Sequence, residues 1–201
     1  FLNVSLFSLR YVFPKSIDEF VMNLEGSPSY KLGMFKIGRE IKRKIKHEIG
    51  EWLTVSIGIA PNRFLSKTAS NLNKPDGLDE INVHNHKEIY QKLELKDLCG
   101  IKSNYAVRLN KYGIYTVTDF YNAEIQTLRN AFHSIVGFYW YLRLKGWEID
   151  DVVFGRKSFG NSYAIPKSLK TAEELSPILM KLVEKMSRRM RKAGYKTRGI
   201  H

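Results

Sequence analysis

A short β-branched run that stops at a helix-capping pair sets the architecture this chain can adopt. Residues 53–60 read LTVSIGIA, with Gly58 inside, and end at Pro61 followed by Asn62. Asparagine there is suited to cap a helix running to Lys74. Upstream, residues 31–49 place Leu32, Phe35, Ile41, Ile45 and Ile49 in near-helical spacing among Lys, Arg and Glu. That pattern predicts an amphipathic helix with a basic, solvated outer face. Before it, YVFPKSIDEFVMNLEG alternates loosely and closes at Gly26-Ser27-Pro28, which predicts a strand from Lys15 to Leu24. Strand, helix, strand and helix in that order imply an open sheet covered by helices.

The turn Lys74-Pro75-Asp76-Gly77 ends this unit. Residues 86–146 read as several short helices joined at Gly100 and Gly113. Gly146 to Gly155 has three acidic residues and no helical stripe, and is expected to be a linker. Lys157–Lys167 is expected to be a strand. Thr171 can cap a long helix striped by Leu175, Ile178, Leu179, Leu182, Met186 and Met190. From Arg156 onward there are twelve Lys and Arg against three Glu, so the basic charge is concentrated there. The helix cations Arg188, Arg189, Arg191 and Lys192 are read as a solvated face.

The formal net charge of +13 favours a polyanionic partner, because each neutralised phosphate releases condensed counterions. No apolar run approaches the roughly 18 residues that span a bilayer, and no membrane partner is expected. The single cysteine, Cys99, excludes an internal disulfide and fits a reducing cytosol, so a cytoplasmic location is expected. With no His or acid neighbour, Cys99 is no nucleophile candidate. His84-Asn85-His86 lacks further ligands at metal-site spacing and is read as a polar loop. The sequence opens at Phe1 with no signal-peptide pattern, and a fragment of a longer chain is expected.

Asp18 and Glu19 are adjacent acids in a segment otherwise read as half-buried strand. Buried carboxylates need a cation or hydrogen bonds to offset their desolvation. Mg²⁺ takes a few carboxylates and fills its shell with water and substrate phosphates, so the pair suits nucleotidyl transfer. On the dipeptide alone, a solvated strand end is the default reading.

Its context resembles the palm of Y-family (DinB-like, translesion) DNA polymerases. The resemblance rests on Ser16-Ile17-Asp18-Glu19, the run Ser56-Ile57-Gly58-Ile59-Ala60-Pro61-Asn62-Arg63-Phe64-Leu65-Ser66-Lys67, and Lys74-Pro75-Asp76-Gly77. These match the family's motifs in order and approximate separation. Asp97-Leu98-Cys99-Gly100-Ile101 and Gly113-Ile114 look like its thumb helix-hairpin-helix, and Arg156-Lys157-Ser158-Phe159-Gly160 like the first strand of its little finger.

The resemblance implies an α+β chain: a partial ferredoxin-like palm (1–80), a small helical thumb with a helix-hairpin-helix (81–146), a linker (147–155) and the start of an α/β little finger (156–201). It implies that Asp18 and Glu19 are two of three carboxylates holding two Mg²⁺ ions, and that Lys67 reaches the triphosphate of an incoming dNTP. Gly100, Ile101, Lys102, Arg156, Lys157 and Ser158 are implied to contact primer-template DNA through its phosphates. Lys102 stands where the family has a second hairpin glycine, Cys99 where it usually has proline, and Asn23 where it often has another acid. No Asp or Glu precedes Asp18, so the family's first carboxylate has no counterpart, and this fragment is expected to be inactive alone. A sliding-clamp peptide would lie beyond His201. The alternative is a non-catalytic DNA-binding module with a degenerate palm. A nucleotide cyclase would share the ferredoxin-like palm but would need neither thumb nor basic strand.

Overall fold

The computed structural model describes residues 12–151, 158–165 and 168–199. It is a mixed α/β structure that divides into two compact units at Asp151. The first opens with a hairpin of β1 (Val12–Pro14) and β2 (Phe20–Met22), antiparallel, with Phe13 opposite Val21. The strand expected from Lys15 to Leu24 is therefore interrupted. Lys15 to Glu19 form the hairpin connection, closed by the Lys15 and Ser16 amides donating to Glu19 O at 2.8 and 3.1 Å. Pro14 has no N–H to extend the ladder, and Ser16 and Asp18 favour a turn through side-chain bonding.

Ser27 caps a 3-10 turn over Pro28–Leu32, and Gly33 at φ 85° redirects the backbone into α1 (Met34–Glu48). That positive φ suits glycine, and it delays the helix past the expected residue 31. The buried stripe is Ile37, Ile41 and Ile45, spaced four apart, whereas Leu32, Phe35 and Ile49 are exposed. These isoleucines pack against Met22, Leu24, Val55 and Ile57, so α1 lies against both the hairpin and the next strand.

Strands β3 (Ile57–Ile59) and β4 (Leu78–Glu80) pair in parallel, linked by α2 (Arg63–Leu72). Only three residues of LTVSIGIA form ladder, and among the described residues the two strand pairs remain separate two-stranded sheets. Gly58 brings helix and strand into close approach: a Cβ there would overlap the Ser66 carbonyl and the Ser70 amide. Asn62 caps α2 as expected, its Oδ1 accepting from Leu65 N at 2.7 Å.

After α2, Asp76 sits at φ 62° and receives Lys42 and Lys46 of α1, at 3.0 and 3.1 Å. These lysines, Lys42 foremost, hold its carboxyl below the ordinary aspartate value. A depressed folded-state value means that the stabilisation is present above about pH 4 and is lost as pH falls through the depressed value. Asp76→Asn is therefore expected to lower stability at neutral pH and to flatten its decline in acid. Melting curves between about pH 7 and pH 3 check this; parallel curves for the two forms would refute the pairing.

Five short helices follow: α3 (His86–Lys92), α4 (Ser103–Asn110), α5 (Val117–Asn122), α6 (Ile125–Phe132) and α7 (Val136–Leu144). Thr116 and Asp119 close a reciprocal capping box at the start of α5. Trp140 lies among Phe64, Phe120 and Phe132, with ring centroids 5.1, 5.5 and 6.1 Å away. Phe64, Leu65 and Ala69 of α2 thus share one core with the later helices.

The second unit carries α8 (Ala172–Lys192), opened by a Thr171–Glu174 capping box. Its expected stripe splits: Ile178, Leu182, Met186 and Met190 are half-buried, while Leu175 and Leu179 are exposed. Residues 158–165 form no strand, contrary to the expectation for 157–167. A strand's amides need a partner ladder, and none is present here among the described residues. The segment lies along α8 instead, with Arg189 Nη1 donating to Gly160 O at 3.2 Å. Arg189 is thus more than a solvated cation.

Candidate active site

The hairpin connection sets Asp18 and Glu19 in the lining of an open cleft of about 1730 Å³, together with Lys67, Lys74, Gly100 and Trp140. Glu19 Oε1 is ion-paired with Lys67 Nζ, a contact between residues 48 apart in sequence. Asp18 Oδ1 accepts the Ser16 hydroxyl at 2.6 Å. That bond, with the Asp18 backbone N–H and then the charges of Lys67 and Lys74, holds the Asp18 carboxyl below its usual value. The sequence pattern predicts both acids on a strand; they stand on the turn between two strands, where the backbone reverses and the alternation of faces no longer applies.

Lys67 is the fifth residue of α2, and that helix is fixed at two places. Ser66 Oγ donates to Gly58 O at 2.8 Å and ties α2 to β3. At its N-terminus the Arg63 amide donates to Glu148 Oε2 at 2.9 Å, a carboxylate placed where the helix dipole favours negative charge. The side chains of Glu19 and Lys67 are 46% and 32% exposed, so their pair contributes at most about 1 kcal/mol and opens easily.

Two adjacent carboxylates, one held well ionised, form an oxygen donor set that fits a hard cation completing its shell with water and phosphate. Among the described residues no cluster of three His, Cys, Asp or Glu could hold an ion by itself. Asp18 and Glu19 would need ligands from elsewhere.

Gly100 adopts φ 101°, and a Cβ there would lie 3.3 Å from Trp140 Cζ2. Ile101 is fully buried and its N–H donates to Leu98 O at 2.9 Å. Lys102 is exposed at the N-cap of α4, its side chain making no capping bond. Ser158 is exposed, while Arg156 and Lys157 lie outside the described residues.

Sequence reasoning misses the charges around the end of α7. Arg143 pairs with Asp150, Nε to Oδ2 at 2.8 Å, and Arg63 pairs with Asp151 and donates to Asp150 O at 3.2 Å. The stretch expected to be a loose linker is anchored as far as Asp151. Its three acids are the available signal, but their partners lie up to 88 residues away. No helix among the described residues is long and apolar enough to cross a membrane.

An acidic pair in contact with a lysine at one cleft, on a mixed α/β scaffold, has the charges that suit nucleotide phosphates and a divalent ion. Residues 4–71 match the impB/mucB/samB family, and residues 156–201 match the impB/mucB/samB family C-terminal domain. The chain belongs to this family, the Y-family DNA polymerases. It is 28% identical over 191 residues to DNA polymerase IV of Moorella thermoacetica, covering 93% of this chain and 47% of that protein. It is 30% identical over 190 residues to DNA polymerase IV of Vibrio cholerae serotype O1, covering 93% and 52%. Among solved structures it resembles a Y-family DNA polymerase chimera at TM-score 0.66 and 27% identity, covering 89% of this chain and 52% of that one. The insertion ternary complex of Dbh DNA polymerase is similar at TM-score 0.57 and 27% identity, with the same coverage. The chain spans about half the length of the curated relatives it matches.

Proposed function

We propose that this chain forms part of a template-directed DNA polymerase of the translesion type, joining dNTPs to a primer 3′-hydroxyl. The observation that carries the reading is the Glu19–Lys67 ion pair beside Asp18, since acids and a lysine in one cleft are the charges this chemistry asks for. Asp18 and Glu19 would hold Mg²⁺, with the remaining ligands supplied by substrate and by protein outside this sequence. The chemistry two such ions would supply, held in part by Asp18 and Glu19, is activation of the primer hydroxyl and neutralisation of charge on the attacking and leaving oxygens. Lys67 exchanges Glu19 for the triphosphate, acting as a point charge one turn into α2. The Ser16 hydroxyl keeps Asp18 ionised and oriented.

In this reading residues 1–80 are palm and 81–146 are thumb, with Gly100 to Lys102 as the hairpin that approaches primer-template DNA. Because Ile101 is buried and its amide is bonded, Lys102 carries the phosphate contact there. Residues 147–155 connect to the little finger at 156–201, whose Arg156, Lys157 and Ser158 lie against phosphates. A clamp contact would come from beyond His201, and the protein would work in the cytoplasm at the nucleoid.

Primer extension by the chain extended to the length of its relatives tests the activity; DNA binding without synthesis would favour a non-catalytic module instead. The basic segment has its own test. Arg156→Ala with Lys157→Ala is expected to weaken DNA binding and to reduce the slope of log affinity against log salt by about 0.9 for each phosphate no longer neutralised. An unchanged slope would remove these residues from the interface.

A further inference from the structure

Asn62 does more than cap a helix. It is 4% exposed, and its amide makes three hydrogen bonds to two parts of the chain. Oδ1 accepts from Leu65 N at 2.7 Å, while Nδ2 donates to Arg143 O at 2.9 Å and to Trp147 O at 3.0 Å. Arg143 is in the last turn of α7, where carbonyls lack helical donors, and Trp147 follows it. A side chain with one acceptor and two donors is needed, which an amide supplies and a carboxylate or hydroxyl does not. Gly146 at φ 88° packs against Pro61 beside it, and Glu148 caps the next amide of α2. One residue thus joins the start of α2 to the segment that ends the first unit.

We infer that Asn62 is a positioning residue for Lys67: it fixes the start of α2 against residues 143–148, and so sets where the Lys67 ammonium meets substrate phosphates. This inference rests on the proposed phosphate role of Lys67. The link is short, since Lys67 follows the cap by five residues along one rigid helix. Asn62→Ser separates the two duties of the residue. Serine still accepts from a first-turn amide but cannot serve both distant carbonyls.

The test is a double-mutant cycle on dNTP incorporation in the chain extended to its relatives' length, with Asn62→Ser, Lys67→Ala and both together. Asn62→Ser is expected to raise KM for dNTP about tenfold with a smaller change in kcat, while DNA affinity stays constant. In the Lys67→Ala background it should have almost no further effect, because the group it positions is gone. Additive losses would overturn the inference and leave Asn62 a purely structural residue. If Lys67→Ala itself leaves incorporation unchanged, the phosphate assignment of Lys67 fails instead, so the two failures are distinguishable. Glu148→Ala serves as a second probe should Asn62→Ser fold poorly. Its partly exposed side chain makes it the milder change, and it should show the same non-additivity with Lys67→Ala.

Discussion

Asp18→Ala combined with Glu19→Ala is expected to lower primer extension by at least about a thousandfold in the chain extended to its relatives' length. The two carboxylates sit at the exposed tip of a hairpin, and neither supports the core, so melting temperature should barely move. DNA affinity should stay within about twofold, because removing acids near a phosphate partner does not weaken it electrostatically. Lys67 should then lose its Glu19 partner without losing its place on α2. Synthesis retained at wild-type rate would remove both residues from the chemistry. Loss of folding would show that the turn, rather than the charges, had been tested, and Asp18→Asn with Glu19→Gln would then keep its shape.

The second large effect is mechanical. Gly58→Ala is expected to destabilise the chain by about 3 kcal/mol, since the added Cβ overlaps backbone atoms of α2 that cannot swing aside. Thermal melting should fall by roughly 6–12 °C. Gly160→Ala, where a Cβ meets nothing within 4 Å, is the matched control and should change little. The site should suffer along with the fold. α2 can relieve the overlap only by moving off β3, which carries Lys67 away from Glu19. A melting curve unchanged by Gly58→Ala would mean that helix and strand are not in the close contact described.

Local sequence reports well on what local chemistry decides. Asn62 and Thr171 are readable as caps because a cap is a bond between neighbours, and both helices begin where expected. The early start expected for α1 fails on Gly33, whose positive φ is a backbone choice that the hydrophobic spacing does not register. The same spacing nominates Leu32, Phe35, Ile41, Ile45 and Ile49; Ile41 and Ile45 are buried, but their companion is Ile37 and the other three are exposed, because the partners at Met22 and Ile57 select that face. At the site, motif resemblance nominates the acids and the lysine, which do lie together in one cleft, while the hairpin tip that presents the acids reads as straight strand. Pro14 is the available clue. The Asn62 and Arg63 bonds to residues 143–151 have no local signature, since hydrogen bonds across more than 80 residues depend on how the helices pack. The strand expected at 157–167 rests on the segment itself and on its resemblance to a little-finger strand, and neither supplies a neighbouring ladder.

Manganese, standing in for magnesium, offers the most direct measurement of the central claim. In the chain extended to its relatives' length, with dNTP present, paramagnetic broadening of backbone amide signals on adding Mn²⁺ should appear first at Ser16 to Phe20 and then around Lys67, and should vanish in Asp18→Ala with Glu19→Ala. Broadening that ignores the hairpin tip, or that persists after both acids are removed, would contradict a shared ion site facing Lys67.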